Sequence, residues 1–116
     1  MKINLVNIIP QRFSNETNFD AEPSITVNPT NPNHIIITSF TTDIDPRLGK
    51  VKTPIFYSID GGINWEAHSI IPGAPVDISV RFGGKSGVLY GAIINSSDDF
   101  SLNVLRTSDF TAPNSM

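Results

Sequence analysis

The spacing of proline and glycine limits the fold of this chain more than any other feature. The chain has 116 residues, and its nine Pro and eight Gly are spread along it. No segment between them keeps the apolar spacing of an amphipathic helix. Between the turn clusters lie short segments rich in apolar and β-branched residues, which favour strands. The predicted strands are Ile3–Ile9, Ser24–Val27, His34–Phe40, Thr53–Ile59, Asn64–Ile71, Asp77–Phe82, Val88–Ile94 and Ser101–Thr107. The sequence therefore predicts an all-β fold connected by hairpins.

Two of these segments differ in their apolar pattern. Ser24–Val27 alternates polar and apolar residues, as a strand does when one of its faces meets water. His34–Phe40 is apolar almost throughout. We expect that second strand to be covered on both faces.

The second half of the chain repeats the first. Pro23–Asn28 and Ile35–Ser39 match Val76–Arg81 and Val88–Ala92 at an offset of 53 residues, and Phe56–Asp60 matches Leu105–Asp109 at an offset of 49. A repeat of about 50 residues that holds four short strands is typical of a β-propeller blade. This predicts a closing strand over residues 1–10, one blade over 20–72, and a second blade over 75–116 without its fourth strand.

The most specific motif is the string Ser58–Trp65, which fits the pattern S-x-D-x-G-x-x-W at every position. It resembles the Asp-box, or BNR repeat, of propellers in the sialidase superfamily. A tight turn needs a residue at positive φ, for which Gly62 is suited, and an acceptor for free N–H groups, for which Asp60 is suited. Ser58 can add a hydroxyl bond, and the ring of Trp65 can pack across the turn.

Two weaker strings support the same resemblance. Thr107–Thr111 looks like a degenerate second Asp-box, and Glu22–Pro32 resembles the opening strand and turn of blades in this family. The family places the Asp-box at the outer edge of the blade, away from the mouth where ligands bind. The resemblance therefore implies that Asp60 holds the fold and takes no part in catalysis.

The resemblance also implies what a catalytic sialidase would need: three arginines, a Tyr nucleophile assisted by a Glu, and an Asp acid/base. The family's Arg-Ile-Pro string has Ile8 where its arginine should stand. Arg12 follows two residues after that string, and Arg47 lies in a predicted loop. Arg81 and Arg106 fall on or at the ends of predicted strands with no family motif around them, and the only tyrosines are Tyr57 and Tyr90. We expect a non-catalytic module that binds carbohydrate or protein as a scaffold. The alternative is an active glycoside hydrolase whose catalytic residues lie outside this chain.

The candidate ligand-binding residues are the carboxylates at the starts of the predicted innermost strands, Asp20, Glu22 and Asp77. In a propeller these starts approach the central mouth, where acidic groups can accept sugar hydroxyls, bind a cation or do acid/base work. The alternative is that they cap turns and solvate the rim, and a solvated turn is the favoured interpretation of Asp98-Asp99. His34 and His68 share no ligand spacing, and the chain has no Cys, so we expect no metal site and no cofactor.

The net charge of the chain limits the classes of partner that it can bind. With 8 basic and 11 acidic side chains, a net charge of -3 makes nucleic acid and anionic membranes poor candidates. The N-terminal residues show no export signal, whereas the family is commonly extracytoplasmic, so the compartment stays open.

Two blades do not close a ring, so we expect either association between copies or a longer chain that completes the propeller. In the first case Ile3–Ile9 would pair with Ser101–Thr107 of a neighbouring copy, and a homotrimer would give the blade number of a sialidase.

Overall fold

In a computed structural model, the residues described are 5, 20–41, 54–70, 75–95, 100–112 and 115–116. Over those ranges the protein is all-β and consists of two antiparallel sheets. No helix among these residues is long and apolar enough to cross a membrane. The predicted fold class is confirmed at this level.

Each sheet is a meander in which every strand pairs with its successor. The first sheet contains β1 (Asp20–Val27), β2 (Ile35–Thr41), β3 (Pro54–Ser58) and β4 (Glu66–Ile70), in that order. The second contains β5 (Pro75–Gly83), β6 (Val88–Asn95) and β7 (Ser101–Thr107). The seven predicted strands from Ser24 onward are therefore confirmed, with shifted ends. Of the strand predicted over Ile3–Ile9 the structure describes only Leu5, which is exposed and lies in no strand.

Strand β2 is covered on both faces, as its continuous apolar sequence predicts. Ile36 and Thr38 point to one side and Ile37 and Ser39 to the other, and all four side chains are buried. Such a strand has no solvent face, which is why its sequence does not alternate.

The hydrophobic core lies between the two sheets. It is formed by side chains from both: Ile36, Ile55, Ile78, Val80, Phe82, Leu89, Ile93 and Phe110. Backbone groups join the sheets where β5 passes β1. The Val80 N–H donates to Ser24 Oγ at 3.5 Å, and the Phe82 N–H donates to Thr26 Oγ1 at 3.1 Å. Because both bonds join residues 56 positions apart, β1 and β5 run side by side in the same direction.

This parallel arrangement gives the molecule two distinct ends. The turns after β1, β3, β5 and β7 share one end, which we call the turn end; there the Gly61 N–H donates to the Asn33 carbonyl at 3.0 Å. A Cβ on Gly87 would lie 3.3 Å from Asn28 Nδ2, so the first turns of the two sheets also meet. The opposite end, where β1 and β5 begin, we call the start end.

Candidate functional site

The turn after β3 is organised around the hydroxyl of Ser58, whose side chain is 1% exposed. Its Oγ accepts the Gly62 N–H at 2.8 Å and the Asp60 N–H at 3.3 Å, and it donates to Asp60 Oδ1 at 2.8 Å. One buried hydroxyl thus joins the end of the strand to both the acidic residue and the glycine of the motif.

Asp60 completes the turn from the other side. Its Oδ1 accepts the N–H groups of Ile63 and Asn64 at 3.0 and 2.9 Å, and its Oδ2 accepts the Asn64 side-chain amide at 2.7 Å. The pKa of Asp60 is lowered to about 2 by hydrogen bonds to its carboxylate. The largest contribution comes from the Asn64 backbone N–H, and smaller ones come from the Asn64 side-chain amide and the Ser58 hydroxyl. Because both carboxylate oxygens are held within the turn, this group is suited to holding structure, as the motif implies.

The glycines and the tryptophan fit the same plan. Gly61 and Gly62 have φ of 74° and 90°, a region that other residues enter at a cost. Trp65 Nε1 donates to the Gly62 carbonyl at 3.0 Å, and its ring lies 3.6 Å from where a Gly62 Cβ would stand. Sequence reasoning identified Gly62 and missed Gly61, whose amide joins this turn to Asn33 of the β1–β2 turn.

The weaker motif after β7 forms a different turn. Thr107 Oγ1 accepts the Asp109 N–H at 3.0 Å, which repeats the bond from Asp60 to Ser58. Asp109 Oδ1 then accepts the hydroxyl and N–H of Thr111 at 2.7 and 3.1 Å, and these bonds lower the pKa of Asp109. The carboxylate therefore closes a shorter loop here than in the first turn.

Phe110 occupies the place of Gly61 in this second turn, and it points into the core. Its ring centroid lies 5.1 Å from that of His34, 5.9 Å from that of Tyr57 and 5.5 Å from that of Phe82, all edge to face. Sequence reasoning missed this residue. The signal for it is a large aromatic residue within a turn motif, at the variable position after the aspartate.

The candidate ligand residues lie at the start end. Asp20 and Glu22 belong to the first residues of β1 and Asp77 to those of β5, so the backbone brings them to one end of two neighbouring strands. The structure describes the Asp77 side chain, which is exposed, and not those of Asp20 and Glu22. The pairing register shifts between Ala21 and Ser24, and again between Pro75 and Asp77. Such bulges re-aim side chains at sheet edges and next to active sites.

Two buried hydroxyls lie near these bulges. Thr38 pairs with Ser24 across the β1–β2 ladder, and Ser39 follows it. Among the described residues neither Thr38 Oγ1 nor Ser39 Oγ has a hydrogen-bond partner. A buried polar group without a partner is costly, so it often marks a site completed by another molecule.

Within the described residues, Tyr57 does not lie together with Arg81 and Arg106 as the catalytic groups of a sialidase would. The Tyr57 hydroxyl donates to Glu66 at 2.9 Å, and burial, then this bond and the Glu66 charge, raise the pKa of Tyr57. Arg81 and Arg106 flank Tyr90 across strands β5, β6 and β7, on the face of the second sheet that points away from the first. The second sheet thus lies between Arg106 and Tyr57, and the Arg81 guanidinium is bonded to the Ile25 carbonyl of β1. Arg12, Arg47 and Asp98-Asp99 lie outside the described residues.

Both histidines have polar partners among the described residues. His34 contacts the side chains of Asn28 and Asn31 at 3.4 and 3.0 Å. His68 Nε2 lies 3.0 Å from Ser115 Oγ, which donates to the Asp109 carbonyl at 2.6 Å; burial lowers the pKa of His68. Over the described ranges no group of three or more His, Cys, Asp or Glu side chains is arranged to hold a metal ion.

Comparisons of the chain with protein-family models, with curated proteins and with solved structures gave no significant match. The function of the chain therefore has to be inferred from the Ser58–Trp65 motif and from the geometry of the described residues.

Proposed function

We propose that the chain is a non-catalytic unit of an Asp-box propeller of the sialidase type, made of two successive blades, that binds carbohydrate or protein as a scaffold. The observation that carries the proposal is the turn at Ser58–Trp65. Every residue that defines the motif has the contact that the turn requires, from the Ser58 hydroxyl to the Trp65 ring.

The stacking of the sheets supports the same proposal. Successive propeller blades are meanders whose innermost strands run in the same direction around an axis. Strands β1 and β5 are the first strands of their sheets, lie next to each other and run in the same direction. The Asp-box turn lies between β3 and β4, the two strands of the first sheet farthest from β1.

Arg81 and Arg106, the arginines that the structure describes, are not brought together with Tyr57 as a sialidase would need, which supports a non-catalytic role. Arg81 donates from Nη1 to the Ile25 and Val80 carbonyls at 3.0 and 3.3 Å, so its guanidinium already serves the junction of the two sheets. A fluorogenic sialoside incubated with the purified chain tests this, and we expect no turnover. Reproducible hydrolysis that is lost in Tyr57→Phe or Tyr90→Phe would overturn it.

We place ligand binding at the start end because Asp77 is exposed there, beside the register shift between Pro75 and Asp77. A glycan array probed with the labelled chain tests the carbohydrate branch. We expect Asp77→Asn to weaken glycan binding by about tenfold or more, since a carboxylate accepts sugar hydroxyls more strongly than an amide does. Asp109→Asn, the same change at the turn end, should leave it unchanged. Equal losses in both variants would contradict this location, and binding to no glycan would leave protein as the ligand class.

A further inference from the structure

The face of the second sheet that points away from the first sheet carries a group of apolar side chains beside Arg81 and Arg106. On β6 and β7 its members are paired across the strands, Ala92 with Val104 and Ile94 with Leu102. Leu102 and Val104 are 67% and 70% exposed, and Tyr90 on the same face is 40% exposed. Contiguous exposed apolar side chains of this kind mark interaction surfaces.

The first sheet also carries exposed apolar side chains on its outer side. They belong to β1, where Ile25 and Val27 alternate with residues that face the second sheet. On the same outer side Ile37 and Phe56 are already buried, so the open part of this face is the strip along β1.

The internal repeat relates these two open faces to the buried junction between the sheets. Three matched pairs on β1/β5 and β3/β7 have opposite exposure: Ile25 is 55% exposed and Ile78 4%, Val27 is 46% exposed and Val80 0%, Val104 is 70% exposed and Ile55 0%. The matched pair Ile36 and Leu89, on β2 and β6, is buried in both sheets. Ile55, Ile78 and Val80 all belong to the core between the sheets.

These pairs show that the junction joins two different faces. The first sheet contributes the side that carries Ile55, whose counterpart Val104 is open on the second sheet. The second sheet contributes the side that carries Ile78 and Val80, whose counterparts are open on β1. The outer sides of the two sheets therefore expose parts of the same two faces that pack together at the junction between the sheets.

We propose that the open face of β6 and β7, centred on Val104, packs on the Ile25–Val27 strip of a second copy of this chain and repeats the junction that joins the two sheets within one copy. The proposal rests on the proposed function, in which the sheets are successive blades, and adds the partner and the surface. The occupant is a second copy because the chain's own junction shows that faces of these two kinds fit each other. Such a contact is head to tail, so each copy uses two different surfaces. We call the open face of β6 and β7 the giving face and the Ile25–Val27 strip the receiving strip.

Three substitutions at exposed positions test the interface. Val27→Glu blocks the receiving strip, Val104→Glu blocks the giving face, and Ile63→Glu is the matched control, because Ile63 is 74% exposed in the Asp-box turn outside both faces. A buried carboxylate without a partner is strongly unfavourable at an interface. Thermal melts establish that each variant is folded before its association is measured.

Sedimentation velocity over a range of micromolar concentrations gives the readout. We expect the unaltered chain and Ile63→Glu to associate, and Val27→Glu and Val104→Glu to be monomeric when each is alone. A mixture of the last two should form a one-to-one dimer, since each variant keeps the face that the other lacks. This complementation is specific to a head-to-tail contact.

A monomeric unaltered chain at the highest concentration would overturn the proposal, and so would a mixture that stays monomeric, or a loss in Ile63→Glu equal to that in the other two. The proposed function is tested independently of the interface. Its glycan-array and sialoside tests can be made on folded monomeric Val27→Glu, because Val27 lies at the turn end of the first sheet and Asp77 at the start end of the second.

Discussion

The two turns that begin with a hydroxyl residue and an aspartate start alike and finish differently. In both, a buried hydroxyl accepts the N–H of the aspartate two residues later, Ser58 for Asp60 and Thr107 for Asp109. Asp60 Oδ1 then accepts N–H groups three and four residues ahead, whereas Asp109 Oδ1 accepts the N–H and the hydroxyl of Thr111, two residues ahead. The first turn is completed by its own polar groups.

The second turn is held from outside. Its Phe110 packs between Tyr57 and Phe82, one from each sheet, so the turn is fixed by the core and needs fewer internal bonds. The comparison indicates that the hydroxyl and the aspartate begin such a turn, and that the next residue decides how it is stabilised. Glycine at that position, Gly61, allows positive φ and a backbone bond to Asn33 of the neighbouring turn, while the aromatic Phe110 ties its loop to the core between the sheets.

The largest effect in this comparison should come from Phe110→Ala. Removing a buried aromatic ring typically costs about 3–5 kcal/mol, because the cavity closes only in part. Urea unfolding measures this loss, with Ile63→Ala in the first turn as the control, which should stay within about 0.5 kcal/mol of the unaltered chain. A loss in Phe110→Ala as small as in the control would mean that the second turn is not anchored by the core.

The next largest effect should come from Ser58→Ala, which we expect to lower the free energy of unfolding by about 1–3 kcal/mol, since it leaves the Gly62 and Asp60 N–H groups without their acceptor. Thr107→Val is the matched change in the second turn and removes the acceptor of one N–H group, that of Asp109. We expect Thr107→Val to cost less than Ser58→Ala in the same urea measurement. The reverse order would contradict the view that the first turn depends more on its own hydrogen bonds.

The acid dependence of stability sharpens the comparison further. The pKa of Asp60 is about 2 in the folded chain and 3.8 as its ordinary value, so the unfolded chain binds the proton more readily. Stability from this group is therefore present above pH 3.8 and is lost as pH falls toward about 2. Melting temperatures between neutral pH and pH 2 should fall less steeply for Asp60→Asn than for the unaltered chain. Parallel curves would show that the folded-state bonds of Asp60 do not contribute.

The smallest effect should come from Ser115→Ala. The Ser115 hydroxyl links His68 of β4 to the Asp109 carbonyl, but the second turn keeps its Phe110 contacts without it. We expect a loss of about 0.5–1.5 kcal/mol, the ordinary range for one hydrogen-bonded link. Calorimetry measures it, and a loss as large as that of Phe110→Ala would show that polar contacts hold the second turn after all.

What the sequence predicts well here is local. The strands follow from β-branched segments between turn clusters, and Ser58, Asp60, Gly62 and Trp65 follow from a motif whose contacts lie within a few residues. The boundary of β4 was predicted at Asn64, two residues too early, because Asn64 is taken up by its bonds to Asp60.

What the sequence does not predict depends on how the sheets stack. The repeat suggests equal environments for Ile25 and Ile78, yet one is exposed and the other buried, because only one of them has a sheet packed against it. The place of Phe110 in the core likewise depends on both sheets being present. At the start end the sequence identified Asp20, Glu22 and Asp77, and it gave no sign of the buried hydroxyls of Thr38 and Ser39, whose burial comes from tertiary packing.

A crystal structure of the purified chain tests the central claim, that the two sheets are successive blades stacked in one direction. The account predicts that β1 and β5 of every copy line a central channel, with the Ser58–Trp65 turn at the perimeter and Val104 buried against Val27 of the next copy. A closed sandwich of the two sheets, with β1 and β5 at its outer edge and Val104 in solvent, would contradict it.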